Sequence, residues 1–189
     1  MDMTENKQPD GDGFSKVEIE YFSISNAGLV LFTPWLFRLF DLSGLINEEK
    51  NDLKDTNARI RGIFILQRLV TPEDKEYQEQ ELALNRLLTG CPFSVPLPKK
   101  MELTEQETAN IESLLNGVKD NWQKIKHISQ EGLQLGFVER SGKLEQQDDK
   151  WTLTVESKAY DMLMDSLPWP LKLIQFPWQK KYIRVSWRD

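Results

Sequence analysis

The sequence predicts an α+β fold: a helical N-terminal half followed by a small antiparallel sheet with one short helix. Two observations predict it. From Pro34 to Val138 apolar residues recur at helical spacing between cap and stop signals, and after Gly142 the period drops to two. A third keeps the chain globular, since 39% of its 189 residues are hydrophobic, with 9 Phe, 6 Trp and 4 Tyr to fill a core. The length suits one domain. Residues 1–16 read as a flexible polar lead and residues 17–189 as a single α+β domain.

The lead carries Pro9, Gly11 and Gly13, with almost no large apolar residue before Phe14. From Val17 the chain alternates, with Val17, Ile19 and Tyr21 set against Glu18 and Glu20, which predicts a short half-buried strand. Thr33 and Pro34 then form an N-cap and first-turn pair. Trp35, Leu36, Leu39 and Phe40 follow on one helical face until Gly44. Thr56 is the expected cap of a second helix to Val70, with Ile60, Phe64, Leu66 and Leu69 apolar, before the stop at Thr71-Pro72. A third helix is predicted from Tyr77 to Thr89, with Leu82, Leu84, Leu87 and Leu88 inward and Gly90 and Pro92 ending it.

Pro92, Pro96 and Pro98 make the next stretch an extended connector. Thr104-Glu105-Gln106-Glu107 is a capping box, in which hydroxyl and carboxylate each satisfy an orphan amide, opening a helix through Ile111, Leu114, Leu115 and Val118. A further helical stretch runs from Trp122 to Phe137, with an interruption near His127. Leu144, then Trp151, Leu153 and Val155 alternating with Thr152 and Thr154, predict a hairpin around a turn at Gln146 to Lys150. Ala159 to Leu167 is the short helix, stopped by Pro168, and Leu171 to Phe176 and Tyr182 to Trp187 are two more strands. No solenoid period is present.

Composition removes whole classes of function. The longest apolar stretch, Ala27 to Phe40, is broken by Thr33, Pro34 and Arg38 and is shorter than the roughly 20 residues of a membrane helix. No membrane partner is expected. The first residues are acidic and polar rather than basic and then apolar, so the chain is expected to be made and folded in the cytoplasm. Cys91 is the only cysteine and His127 the only histidine, which excludes an intrachain disulfide, a multi-cysteine zinc site and any chemistry that needs two imidazoles.

No Gly-rich phosphate loop, GKS or GKT motif, or GxSxG elbow occurs. His127 has no Asp partner at obvious reach and reads as a surface or packed residue, Cys91 as a small buried hydrophobe. Asp148-Asp149 falls in the hairpin turn, where Asp serves the backbone. No catalytic residue, cofactor or metal is expected. The C-terminal stretch holds Lys172, Lys180, Lys181, Arg184 and Arg188 among Phe176, Trp178, Tyr182 and Trp187. Basic plus aromatic is a stacking recipe for nucleic acid. The alternation sets Ile183, Val185 and Trp187 against the cations as an ordinary solvated sheet would, so nucleic acid is not the expected partner. Pro34-Trp35, Pro168-Trp169 and Pro177-Trp178 use half of the tryptophans. Proline fixes the chain at an element boundary and the indole covers the core edge, and the same corners make Trp35, Trp169 and Trp178 the candidate interface anchors.

The run Asn26-Ala27-Gly28-Leu29-Val30-Leu31-Phe32, followed by Pro34, Leu36, Leu39 and Phe40, resembles the opening of the contractile injection system tape measure proteins. The resemblance continues through Glu81 to Pro92, the Leu103 to Glu107 cap and Asn121-Trp122. It resumes at Asp149, Trp151, Tyr160-Asp161, Leu167-Pro168-Trp169, Pro177-Trp178 and Val185-Ser186-Trp187. It implies a structural, non-enzymatic component of a phage-tail-like contractile particle that sets or anchors the length of the inner tube. The implied partners are inner-tube, spike or baseplate, and terminator proteins. The alternative is an adaptor or cap that binds tube, spike or cargo without setting length. The implied location is the cytoplasm during assembly and the particle afterwards. Proteins of this kind are usually much longer. Even as one continuous helix, 189 residues would span only ~280 Å.

Overall fold

The computed structural model describes residues 21–188. A five-stranded sheet packs one face on the apolar core, and Ser23, Lys143, Thr154 and Arg184 on its other face are exposed. Its strands are β1 (Tyr21–Ile24), β2 (Gly142–Gln146), β3 (Lys150–Val155), β4 (Leu173–Ile174) and β5 (Tyr182–Ser186), in the order β1-β2-β3-β5-β4. The sheet is mixed, which corrects the antiparallel expectation: β3 and β5 run parallel, Leu153 opposite Val185, and the other pairs are antiparallel. Parallel neighbours need a crossover rather than a hairpin. The stretch between Val155 and Tyr182, with the 3₁₀ helix Ala159–Ser166 and β4, supplies it.

The hairpin of β2 and β3 stands as predicted, with Leu144 opposite Leu153. Residues 1–16 and the start of the first predicted strand, 17–20, lie outside the described residues. The described strand has a different phase from the one expected: Tyr21 is 58% exposed, whereas Phe22 and Ile24 turn toward the core.

The helices are α1 (Thr33–Leu42), α2 (Thr56–Val70), α3 (Ala83–Thr89), α4 (Glu105–Asn121) and α5 (Gln130–Leu133). The cap of α2 is Asp55 rather than Thr56, its carboxylate accepting from the Ala58 N–H at 2.7 Å. The capping box of α4 forms as read: the Glu107 N–H donates to Thr104 Oγ1 at 3.1 Å and the Thr104 N–H to Glu107 Oε2 at 2.9 Å. The third predicted helix is shorter than expected. Tyr77 lies outside any helix, Gln78 is extended, Glu79–Leu82 is a 3₁₀ turn, and α3 ends at Gly90 in the left-handed region at φ 70°. The stretch from Trp122 is broken, as the His127 region suggested, into Gln123–Ile125, a turn, α5 and a π turn over Gln134–Val138. Ser129 restarts it by accepting from the Gly132 N–H at 2.9 Å.

Ala27–Phe32, a 3₁₀ segment, runs through the centre of the core, with Leu29, Val30, Leu31 and Phe32 fully buried. Gly28 is required there, because a Cβ would overlap the Phe137 carbonyl and the Val138 Cα. The inward sheet residues Leu144, Leu153, Ile183 and Val185 join these and the helical residues Leu36, Phe40, Leu66, Leu69 and Val118 in one apolar cluster. Truncating any of them to Ala would cost about 2–5 kcal/mol.

Candidate interaction surface

Two of the three Pro-Trp corners meet and one stands apart. Trp35, half-buried in the first turn of α1, lies edge-on to Trp169, their ring centroids 4.6 Å apart at 88°. Trp169 Nε1 donates to the Leu31 carbonyl at 3.1 Å, which ties the crossover to the central 3₁₀ segment. Trp178 belongs to a separate cluster. It stacks on Phe176 at 4.9 Å and 3°, reaches Phe37 and Phe40 of α1, and donates from Nε1 to the Leu88 carbonyl at 3.0 Å.

Trp35 and Trp178 each border a depression. Trp35, Leu39, Leu42 and Leu114 line a groove of about 120 Å³ between α1 and α4, with Leu42 56% exposed. Beside Trp178 is a pocket of about 270 Å³ walled by the Pro92-Phe93 loop, Trp151 and the turn through Lys180 and Lys181.

Lys172, Lys180, Arg184 and Arg188 are exposed, and Ile183, Val185 and Trp187 are buried. Cys91 is buried, and that burial pushes its thiol pKa up, with Arg86 opposing, so the reactive thiolate is disfavoured. His127 is exposed in the turn after Gln123–Ile125 and makes no hydrogen bond with any described residue. Asp148 and Asp149 are exposed in the hairpin turn. Among the described residues, no group of three or more His, Cys, Asp or Glu could hold a metal ion. No described helix is long and apolar enough to cross a membrane.

Sequence reading missed the buried polar groups that brace these surfaces. Arg140 and Asp161 are both fully buried and form a two-pronged ion pair at 2.7 and 2.9 Å. Burial raises the Asp161 carboxyl pKa, but the bonds from Arg140, the Lys158 N–H and Trp187 Nε1 overcome that and hold it below its ordinary value. Glu107 behaves alike: burial acts upward, and Arg61 with the Thr104 amide brings the net shift down. Arg86, buried as well, bonds Glu79 and the carbonyls of Pro92 and Val95, fixing the loop that carries Phe93.

Asn26, Gln67 and Asn85 form a buried amide network, Asn26 Nδ2 donating to Gln67 Oε1 at 3.0 Å and to Asn85 Oδ1 at 2.8 Å. It adjoins a cavity of about 330 Å³ lined also by Lys75, Tyr77, Glu81 and Glu139. Burial raises the Tyr77 phenol pKa; Gln67 opposes it from nearby without a hydrogen bond of ordinary geometry to the hydroxyl. The one signal in the sequence was Gln67 and Asn85 standing in phase with apolar helix positions.

No curated protein and no solved structure matches the chain. The model of one family, described as contractile injection system tape measure protein, matches residues 2–187. That match covers nearly the whole length, and the chain belongs to the contractile injection system tape measure protein family, structural components of contractile particles.

Proposed function

We propose that this domain is a non-enzymatic anchoring unit. It joins the inner tube of a contractile particle to a spike, baseplate or terminator protein, and it does not itself span the tube. The observation that carries this reading is the absence of any element of tube-like reach among the described residues. The longest helix, α4, has 17 residues and so about 26 Å of length, and its apolar face is packed against α1 and α2. Contacts are made through the Pro-Trp corners at Trp35, Trp169 and Trp178, and assembly takes place in the cytoplasm. The burial of Cys91 and the isolation of His127 support a role without catalysis.

The test is particle length. If the domain contributed length, inserting helical residues before Val17 would lengthen particles by about 1.5 Å per residue. The expected result is unchanged length in electron micrographs of insertion strains, with deletion of the whole chain lowering the yield of complete particles. Proportional lengthening would overturn the anchoring role, and normal yield after deletion would overturn the assembly role.

A further inference from the structure

We propose that the pocket beside Trp178 docks a short extended segment of a partner protein in which an aromatic or large aliphatic side chain is flanked by carboxylates. This deepens the anchoring reading and rests on it. At about 270 Å³ the pocket suits one anchor side chain rather than a cofactor. Its apolar wall includes Leu87, Pro92, Phe93 and Trp178, and Phe93 is 40% exposed.

Charge selects the occupant. Three cations, Arg86, Lys180 and Lys181, line the pocket and no carboxylate does among the described residues, on a chain of net charge -6. Arg86 is committed to Glu79 and to the loop carbonyls, and Lys181 Nζ donates to the Gln147 carbonyl at 2.9 Å. Lys180 is exposed and forms no ion pair with any described residue. A carboxylate beside the anchor side chain would meet it at the rim, where complementary charge sets partner choice. Arg86 already holds the Phe93 loop in place, bonding the Pro92 and Val95 carbonyls at 2.6 and 2.8 Å, so binding need not order it.

Nucleic acid fits less well, because it needs successive free aromatic faces. Here Phe176 covers a face of Trp178 and Phe22 stacks on Phe93 at 5.2 Å.

The experiment uses the full chain and a labelled, end-blocked peptide alternating glutamate with phenylalanine, read by fluorescence anisotropy. Two control peptides carry lysine for glutamate or serine for phenylalanine. Both should bind about tenfold more weakly or worse, and Lys180→Glu should weaken the acidic peptide to a similar extent while Lys180→Arg stays within about twofold. Lys180 is exposed, so a thermal midpoint shared with the unsubstituted chain will separate binding from folding. Equal binding of the lysine peptide, or indifference to Lys180→Glu, would overturn the proposal. Displacement by oligothymidylate at equal concentration would assign the pocket to nucleic acid instead. A gain of about tenfold on combining Asp10→Asn, Asp12→Asn, Glu18→Gln and Glu20→Gln would make the chain's own acidic segment the occupant, which also overturns it. Failure of the anchoring role would show in particle yield, which the peptide assay does not touch.

Discussion

Replacing Asp161 by Asn should remove about 3–5 kcal/mol of folding stability at neutral pH, because it leaves the Arg140 cation buried without its counter-charge. Asp161 accepts from Arg140 Nη1 and Nη2, from the Lys158 N–H at 2.9 Å and from Trp187 Nε1 at 3.1 Å. The Glu156 and Gly136 carbonyls accept two more bonds from Arg140, at 2.9 and 2.7 Å, while Arg140 Nε has no partner among the described residues. Those carbonyls solvate the cation only in part, and the missing Nε partner lowers the net worth of the pair without lowering the cost of breaking it. Against a total stability of about 5–15 kcal/mol, such a loss is large.

The pH dependence follows from the direction of the Asp161 shift. Its folded pKa is depressed, so its contribution is fully present above the unfolded value of about 3.9 and is lost as pH falls through the folded value. The gap between wild type and Asp161→Asn should therefore narrow below about pH 4. Urea midpoints followed by tryptophan emission, at neutral pH and in acid, measure both effects. The double variant Arg140→Met with Asp161→Leu should recover part of the loss, since an apolar pair leaves no orphaned charge. A loss below about 1 kcal/mol for Asp161→Asn, or a gap that stays constant into acid, would refute the reasoning.

Gly28→Ala should prevent stable folding, because its methyl group would overlap the Phe137 backbone; soluble yield and circular dichroism read the outcome. Cys91→Ala and His127→Ala should leave particle assembly intact, with Cys91→Ala costing about 1 kcal/mol or less in a thermal melt. Trp35→Ala, Trp169→Ala and Trp178→Ala should each weaken pull-down of tube or baseplate proteins by about 2 kcal/mol if the corners are anchors. Stability lost in proportion to binding across all three would reduce them to core residues.

What was legible in the sequence is what local chemistry decides. The Thr104 to Glu107 box and the Gly142 to Val155 hairpin satisfy their own backbone groups within a few residues, so their signals are complete in a short window. The parallel pairing of β3 and β5 was not legible, because alternation marks which face a residue takes and says nothing of strand direction. The α2 cap was misplaced by one residue, since Asp55 and Thr56 are both competent acceptors and only the extended backbone at Asp55 decides. The burial of Arg86, Arg140 and Asp161 was not legible either, because their partners are distant in sequence or are backbone carbonyls that no pattern reports. Of the candidate site, the tryptophan corners could be found from proline punctuation, but the pocket beside Trp178 joins residues 86 to 181 and exists only in the fold.

The crossover explains why those corners are difficult to separate from stability. Trp169 and Trp178 both lie on the chain between β3 and β5, and each indole N–H reaches into the helical layer, one to Leu31 and the other to Leu88. Trp122, at the end of α4, makes the reciprocal bond from the helical layer to the Leu163 carbonyl at 3.1 Å. Three indole N–H bonds therefore help strap the crossover down, and truncating an indole removes a strap as well as a contact surface. Phe in place of Trp at 169 or 178 keeps most of the apolar area and deletes the N–H, leaving a carbonyl short of its donor at a cost of about 1–3 kcal/mol. If partner binding follows aromatic area rather than the strap, Trp178→Phe will lose stability and keep binding, whereas Lys180→Glu will keep stability and lose it. Both variants behaving alike would mean that fold and docking at this corner cannot be divided.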